Sequence, residues 1–308
     1  MLQDLLFTTT GIAILYFGAE LLIKGSITLS YKYRVQPLLV GLLVIGLGTS
    51  SPELVVSIVA AISDRGEIAV GNIIGSNISN FALILGLGAL IYPVATKKSL
   101  LRIELPVLIA TSLLVTLLTL NGLLSRWNGL LLLFGLVAYL FITIRSNSPS
   151  VFTKPDTIDT RASTGVMLLR IGVGLVFLIA GAELMISGLT GLARLFQLSE
   201  AVIGLTAVAV GTSLPELATT VVAGVRKQGD LILGALIGSN ILNLLFVLGV
   251  TIIIRPITLI DITLSDLIIM TTLAVIIVPI IRTGYVVSRL EGVFLLIIYA
   301  GYIAWLFM

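Results

Sequence analysis

Long apolar stretches separated by short polar breaks set the pattern of this chain from one end to the other. A helix needs about 20 residues to cross ~30 Å of hydrocarbon. Stretches of that order run near 6–29, 37–62, 68–92, 103–123 and 127–145, and again near 165–193, 201–225, 231–254, 262–281 and 290–308. The pattern predicts an all-α polytopic membrane protein with ten transmembrane helices. The longest polar stretch, RSNSPSVFTKPDTIDTRAST at 145–164, is rich in Ser, Thr and Pro and has no apolar period, which marks a linker rather than a domain. The expected organisation is a five-helix unit over 1–146, a linker over 147–164 and a second five-helix unit over 165–308.

The two units are copies. Adding 163 to a position in the first lands on its counterpart in the second: GAELLIKG (18–25) on GAELMISG (181–188), GTSSPEL (48–54) on GTSLPEL (211–217), GNIIGSNISN (71–80) on GALIGSNILN (234–243), and SRWNG (125–129) on SRLEG (288–292). Matched Gly, Ser, Asn, Pro and Glu at one constant offset signal a duplication. Five spans is an odd number, so the second copy enters the membrane from the opposite face. Inverted repeats of this kind are a signature of secondary transporters, which expose a site between the repeats first to one side and then to the other.

Composition narrows the chemistry. Of the 308 residues 58% are hydrophobic and 11% charged, against roughly 25% charged in a soluble domain. Cysteine and histidine are absent, which excludes disulfides, thiol catalysis, the usual haem and zinc sites and histidine general bases. Nothing at the start reads as a cleaved signal peptide, because MLQD supplies no basic region before the first apolar stretch. Most Lys and Arg fall in one set of alternate loops, among them Lys32, Arg34, Lys97, Lys98, Arg102, Arg145, Arg226, Lys227 and Arg282; Arg65, Arg126, Arg194 and Arg255 fall in the other. The positive-inside rule makes the first set and the linker cytoplasmic and both termini external, in a cell membrane. Lys24, inside the first span, is expected to snorkel toward the cytoplasmic end.

Four carboxylates lie well inside the spans: Glu20, Glu53, Glu183 and Glu216. Each costs roughly 3 kcal/mol or more at a helix centre and calls for a partner or a function. Beside Glu53 and Glu216 stand Pro52 and Pro215, which lack an N–H and free carbonyls near Gly46 to Gly48 and Ala209 to Gly211. Thr49 and Ser50 precede Glu53 by four and three residues and share its helical face. Ser76 with Asn80, and Ser239 with Asn243, are likewise four apart. All of these groups offer oxygen and two carry negative charge, the donor set of a hard cation such as Ca2+, with Na+ of similar radius accepting the same ligands. Asn77 and Asn240 point off that face and are expected to bond helix backbones. Glu20 and Glu183, without a neighbouring break, fit a structural or gating role; Glu104 and Asp266 read as interfacial, and Gly71 with Gly75 and Gly234 with Gly238 as packing positions.

The paired GTSxPE and GSNxxN motifs resemble the α-repeats of the calcium/cation antiporter superfamily, and in particular its prokaryotic sodium/calcium exchangers. The resemblance covers nearly all ten spans. It implies a core built from the second and third helix of each repeat around clustered cation sites, flanked by a long, tilted pair formed by the first and sixth helices. It further implies Glu53 and Glu216 as shared central carboxylates, Thr49 and Thr212 as carbonyl and hydroxyl ligands, and Ser50, Ser213, Ser76 and Ser239 as flanking sodium ligands. Asn80 is placed at the centre and the carbonyls of Gly46 and Ala209 at the periphery. Asn243 departs from relatives that carry aspartate there, which removes a carboxylate and weighs against potassium dependence. The implied activity is Na+/Ca2+ antiport rather than enzyme catalysis, with the two cations as cargo, no cofactor, the lipid bilayer as surroundings, no nucleic acid and no obligatory protein partner. The alternatives are a proton/calcium antiporter using the same glutamates, a channel, and an intramembrane protease; the last is disfavoured by the lack of histidine and of paired Gly-x-Gly-Asp aspartates.

Overall fold

A computed structural model describes residues 1–96, 102–146, 163–195, 211–259 and 264–306. Eleven helices are described: α1 (Leu2–Tyr33), α2 (Pro37–Thr49), α3 (Ser51–Ile62), α4 (Gly66–Ile91), α5 (Glu104–Thr119), α6 (Arg126–Ser146), α7 (Thr164–Leu195), α8 (Leu214–Val225), α9 (Gly229–Ile254), α10 (Leu264–Arg282) and α11 (Arg289–Leu306). Seven of them are long and apolar enough to cross a membrane; α2 and α3 form an eighth span bent by 41°. The helices α5 and α8 are shorter and apolar. The linker at 147–162 and the stretch 196–210, which includes Ala209, lie outside the described residues.

The 163-residue offset is built into the backbone. α3 and α8 correspond end to end, as do α4 and α9. Turn geometry repeats too: Asp64 and Lys227 both take left-handed backbone, φ 63 and φ 58, and so do Gly122 and Tyr285, φ 70 and φ 58. Two short strands follow α4 and precede α6, β1 (Val94–Ala95) and β2 (Leu123–Leu124), and two more sit at the equivalent places in the second half, β3 (Ile257–Thr258) and β4 (Val286–Val287). Pairing crosses the halves: β1 joins β4 antiparallel with Val94 opposite Val287, and β2 joins β3 with Leu124 opposite Ile257. One ribbon therefore ties the loop after α4 to the loop before α11, and the other ties the loop before α6 to the loop after α9.

The SRWNG and SRLEG landmarks prove to be helix starts. Asn128 Oδ1 accepts from the backbone N–H and the hydroxyl of Ser125, each at 2.7 Å, and Glu291 Oε2 accepts from the same groups of Ser288 at 2.7 and 2.8 Å. Glu291 N–H returns a bond to Ser288 Oγ at 3.3 Å, which completes a capping box. Replacing Ser288 with alanine is expected to cost about 1 kcal/mol, read as a lower melting temperature in detergent.

Close approach is the rule where the halves meet. α1 and α7 run antiparallel along a seam of glycines: Gly11 backs onto Gly181 and Met185, Gly18 onto Gly174, and Gly188 onto Thr8. Gly129 of α6 faces Gly249 of α9, and Gly292 of α11 faces Gly86 of α4, so the last helix of each half packs on the other half. Without a hydrophobic drive between lipid-bathed helices, such backbone contact is what holds them together. The expected packing role fits Gly234 and Gly238, where an added Cβ would fall 2.4 Å from Leu38 O and 2.7 Å from Leu42 backbone. For Gly71 and Gly75 nothing among the described residues comes within 4 Å, and positions 201 and 205, the counterparts of Leu38 and Leu42, lie outside those residues. Glu104, expected at the interface, is instead buried at the first turn of α5, whereas Asp266 accepts from Tyr302 Oη at 3.3 Å.

Candidate functional site

Four helical segments converge in the most buried part of the bundle: the α2–α3 bend, the middle of α4, the start of α8 and the middle of α9. The bend forms at Ser50, whose ψ of 2° leaves the helix just before Pro52; Ser213, with ψ 4°, does the same before Pro215. Proline at the first turn is compatible with a helix start because its missing N–H has no intrahelical partner there. Each bend turns the glutamate that follows it inward, and Glu53 and Glu216 are fully buried.

Around the glutamates the contacts obey the repeat. Ser76 Oγ donates to Glu53 Oε1 at 3.4 Å, and its counterpart Ser239 Oγ donates to Glu216 Oε1 at 3.2 Å. The two carboxylates are near enough to repel each other. Ser50 Oγ and Ser239 Oγ are 2.7 Å apart, and Asn80 Nδ2 donates to Ser239 Oγ at 3.3 Å. Of the twelve sequence-predicted residues, Ser76 is joined to Glu53, and Ser50, Ser239, Asn80 and Glu216 are joined to one another, by these bonds; Thr49, Gly46, Thr212, Ser213 and Asn243 are buried, and Ala209 lies outside the described residues.

The chamber is underbonded. Glu53 Oε2, Glu216 Oε2, Asn80 Oδ1 and both polar atoms of Asn243 are buried with no hydrogen-bond partner. Each such atom costs roughly 1–3 kcal/mol, and the oxygens are the donors that a Ca2+ or Na+ ion takes. No cluster of three or more His, Cys, Asp or Glu exists among the described residues, so any cation held here depends on two carboxylates supplemented by neutral oxygens.

Several details differ from expectation. The Gly46 carbonyl is not free: it accepts from Ser50 N–H at 3.0 Å and from Thr49 Oγ1 at 3.4 Å, and the Gly48 carbonyl, which Pro52 cannot bond, accepts from a backbone N–H at the bend. Asn240 does bond a backbone, donating to Asn77 O at 3.2 Å, but its Oδ1 also accepts from Asn80 Nδ2 at 2.8 Å; Asn77 turns to the sulfur of Met270. Ser79, not singled out by spacing, shares a hydrogen bond of 3.1 Å with Ser213 Oγ. Its second-half counterpart is Leu242, so comparison of the repeats hides it, although GSNISN contains it. Finally, α4 and α9 pass into π-helix at Asn80–Leu85 and Asn243–Val247, each beginning on the motif asparagine, and α2 does so at Gly41–Gly46. Single π turns widen a helix and concentrate at functional sites.

An underbonded cluster of carboxylate, amide and hydroxyl groups, enclosed by duplicated membrane helices, fits a membrane protein of the ion-handling kind. The chain belongs to the sodium/calcium exchanger protein family, which matches residues 4–145 and 166–308. It is 34% identical to the "Putative antiporter CaxA" of Alkalimonas amylolytica over 98% of both chains. It is 36% identical to the "Inner membrane protein YrbG" of Escherichia coli over 80% of this chain and 78% of that one. Among solved structures it superposes on the sodium-calcium exchanger NCX_Mj, soaked with zero Na+ and Ca2+, with a TM-score of 0.87 at 28% identity over 99% of each chain.

Proposed function

We propose that the protein is a secondary antiporter that exchanges Na+ for Ca2+ by alternating access, with Glu53 and Glu216 as the carboxylates both ions share. The observation that carries this reading is the set of buried, partnerless oxygens on Glu53, Glu216, Asn80 and Asn243 within a chamber lined by hydroxyls. Two carboxylates balance one Ca2+. Without a load, two buried and mutually repelling charges disfavour sealing the chamber against apolar neighbours. Either cation load removes that penalty, so reorientation follows loading, and an inward Na+ gradient drives Ca2+ outward.

The same reading assigns ten transmembrane helices in two inverted five-helix repeats. Two features support it. α1 runs antiparallel to its own copy α7, and each β-ribbon joins loops that the charge distribution puts on one side: β1 with β4 on the cytoplasmic side, β2 with β3 outside. The ion pair of Asp64 and Arg255, 2.6 Å, also joins two loops assigned to the outside. The setting is the cell membrane, with both termini external.

A second reading, H+ in place of Na+, is favoured by the two partnerless Oε2 atoms, either of which can hold a proton. Radiolabelled Ca2+ uptake into proteoliposomes separates the two. Uptake driven by an outward Na+ gradient and unaffected by imposed K+ or H+ gradients is expected; uptake driven by a pH gradient without Na+ would replace the proposal with the second reading.

A further inference from the structure

Residues 163 apart hold the same place in their repeats, yet α3 and α8 differ in burial along one face. Val222 on α8 is 5% exposed and its counterpart Val59 on α3 is 57% exposed. Pro215 and Thr219 on the same face of α8 are buried, whereas Pro52 and Val56 are only half-buried. The cover on α8 is α1, which packs on it. At the end of that face the Arg226 guanidinium grips Glu20 of α1, Nε to Oε2 at 3.0 Å and Nη2 to Oε1, and Lys24 Nζ stands 2.8 Å from the same Oε1.

The equivalent place in the other half lacks this charge pattern. Glu183 matches Glu20, but Ser63 stands where Arg226 would be and Ser187 where Lys24 would be. Glu183 is exposed. A two-pronged arginine–carboxylate pair is among the stronger polar contacts and fixes orientation as well as distance; partial exposure of both side chains keeps its strength modest. In a protein of inverted repeats, two conformers facing opposite sides are related by exchanging the packing of the two halves, so a contact that only one half can make favours one conformer over the other.

We propose that the Glu20–Arg226 pair is a one-sided latch that holds α1 on α8 and biases the unloaded protein toward the conformer closed to the cytoplasm, with no matching latch on the outer side. This rests on the alternating-access reading and its orientation. Arg226 and Glu20 act as positioning residues and bind no cargo.

The natural absence of cysteine lets a single Val222→Cys or Val59→Cys reporter be read alone. Labelling by a membrane-impermeant maleimide, from the cytoplasmic side for the first and the outer side for the second, is measured in oriented vesicles without Na+ or Ca2+. Adding Arg226→Gln is expected to raise labelling of Val222→Cys about fivefold and lower that of Val59→Cys in step, while Arg226→Lys, which keeps the charge but not the fork, falls between that variant and the parent. A change at position 222 alone is a local effect and overturns the latch, as does no change at either position. Should Arg226→Gln fail to fold, Ser63→Arg supplies the missing cation opposite Glu183: it is expected to lower Val59→Cys labelling and raise Val222→Cys labelling, and Glu183→Gln should cancel this. Unchanged labelling there also overturns the proposal. If the parent reporters respond to Na+ or Ca2+ but not to these substitutions, the latch fails alone; if they do not respond to the ions, alternating access fails with it.

Discussion

Exchanging Glu53 for glutamine is expected to leave a folded protein whose Na+-dependent Ca2+ uptake into inverted vesicles falls at least about 100-fold. Glutamine keeps the shape of the side chain and an oxygen for the Ser76 hydroxyl, which donates to Glu53 Oε1 at 3.4 Å. What it removes is one of two negative charges, which no third Asp or Glu joins in a cluster among the described residues. Two opposite charges ~4 Å apart at an effective dielectric near 20 attract by about 4 kcal/mol, and a divalent ion by more. Since ~1.4 kcal/mol is a factor of ten, a 100-fold loss is the conservative end. Glu216→Gln should behave alike, because Ser239 serves it as Ser76 serves Glu53. Unloaded, either variant should melt no lower than the parent, since a buried like-charge pair has been relieved. Exchange retained in a purified Glu53→Gln protein would remove the shared-carboxylate mechanism.

Placing leucine at Gly174 is expected to cost about 3 kcal/mol or more and to show as a large fall in melting temperature with loss of monodisperse protein. A Cβ there would lie 2.7 Å from Leu22 N and 2.9 Å from Gly18 O, both backbone atoms that no rotamer change can move. Overpacked sites commonly lose ~1–3 kcal/mol when side chains can yield; here a helix must. Gly172→Ala, on the same helix, is the matched control. Gly172 is exposed with nothing within 4 Å among the described residues, and alanine in a helix interior is worth about 1 kcal/mol over glycine, so stability should hold or rise. Equal losses at Gly174 and Gly172 would show that the seam is not what the glycines are for.

Much of the architecture is legible from the chain because its determinants are local. Apolar length fixes the helices, the Ser-x-x-Asn and Ser-x-x-Glu starts fix where α6 and α11 begin, and the Thr-Ser-x-Pro-Glu runs fix the bends beside the buried glutamates. The candidate chamber follows because duplication makes each unusual residue visible twice. What escaped is set by tertiary contact. Strands of two residues such as Val94–Ala95 are too short to leave a period, and the π turns at Asn80 and Asn243 have no compositional mark. Ser79 is hidden because its counterpart is Leu242, so the comparison that finds Ser76 discards it. Lys24 lies one turn from Glu20, but its other partner, Arg226, is 206 residues away, and no spacing rule reaches that far. The burial difference between Val59 and Val222 leaves no mark at these positions: the same residue type in both copies cannot say which copy is covered.

The crossed ribbons carry a consequence for how such a chain can exist at all. Because β1 mates with β4 and β2 with β3, each half contributes one lone strand at either end of the bundle and receives its complement from the other. The same exchange places Gly129 against Gly249 and Gly292 against Gly86. A half on its own would keep its helices but expose unsatisfied strand edges at both membrane faces and an empty glycine groove between them. The length that was copied and the length that can stand alone are therefore different, and on the proposed inverted topology a forebear of half this size would have worked as two oppositely inserted partners.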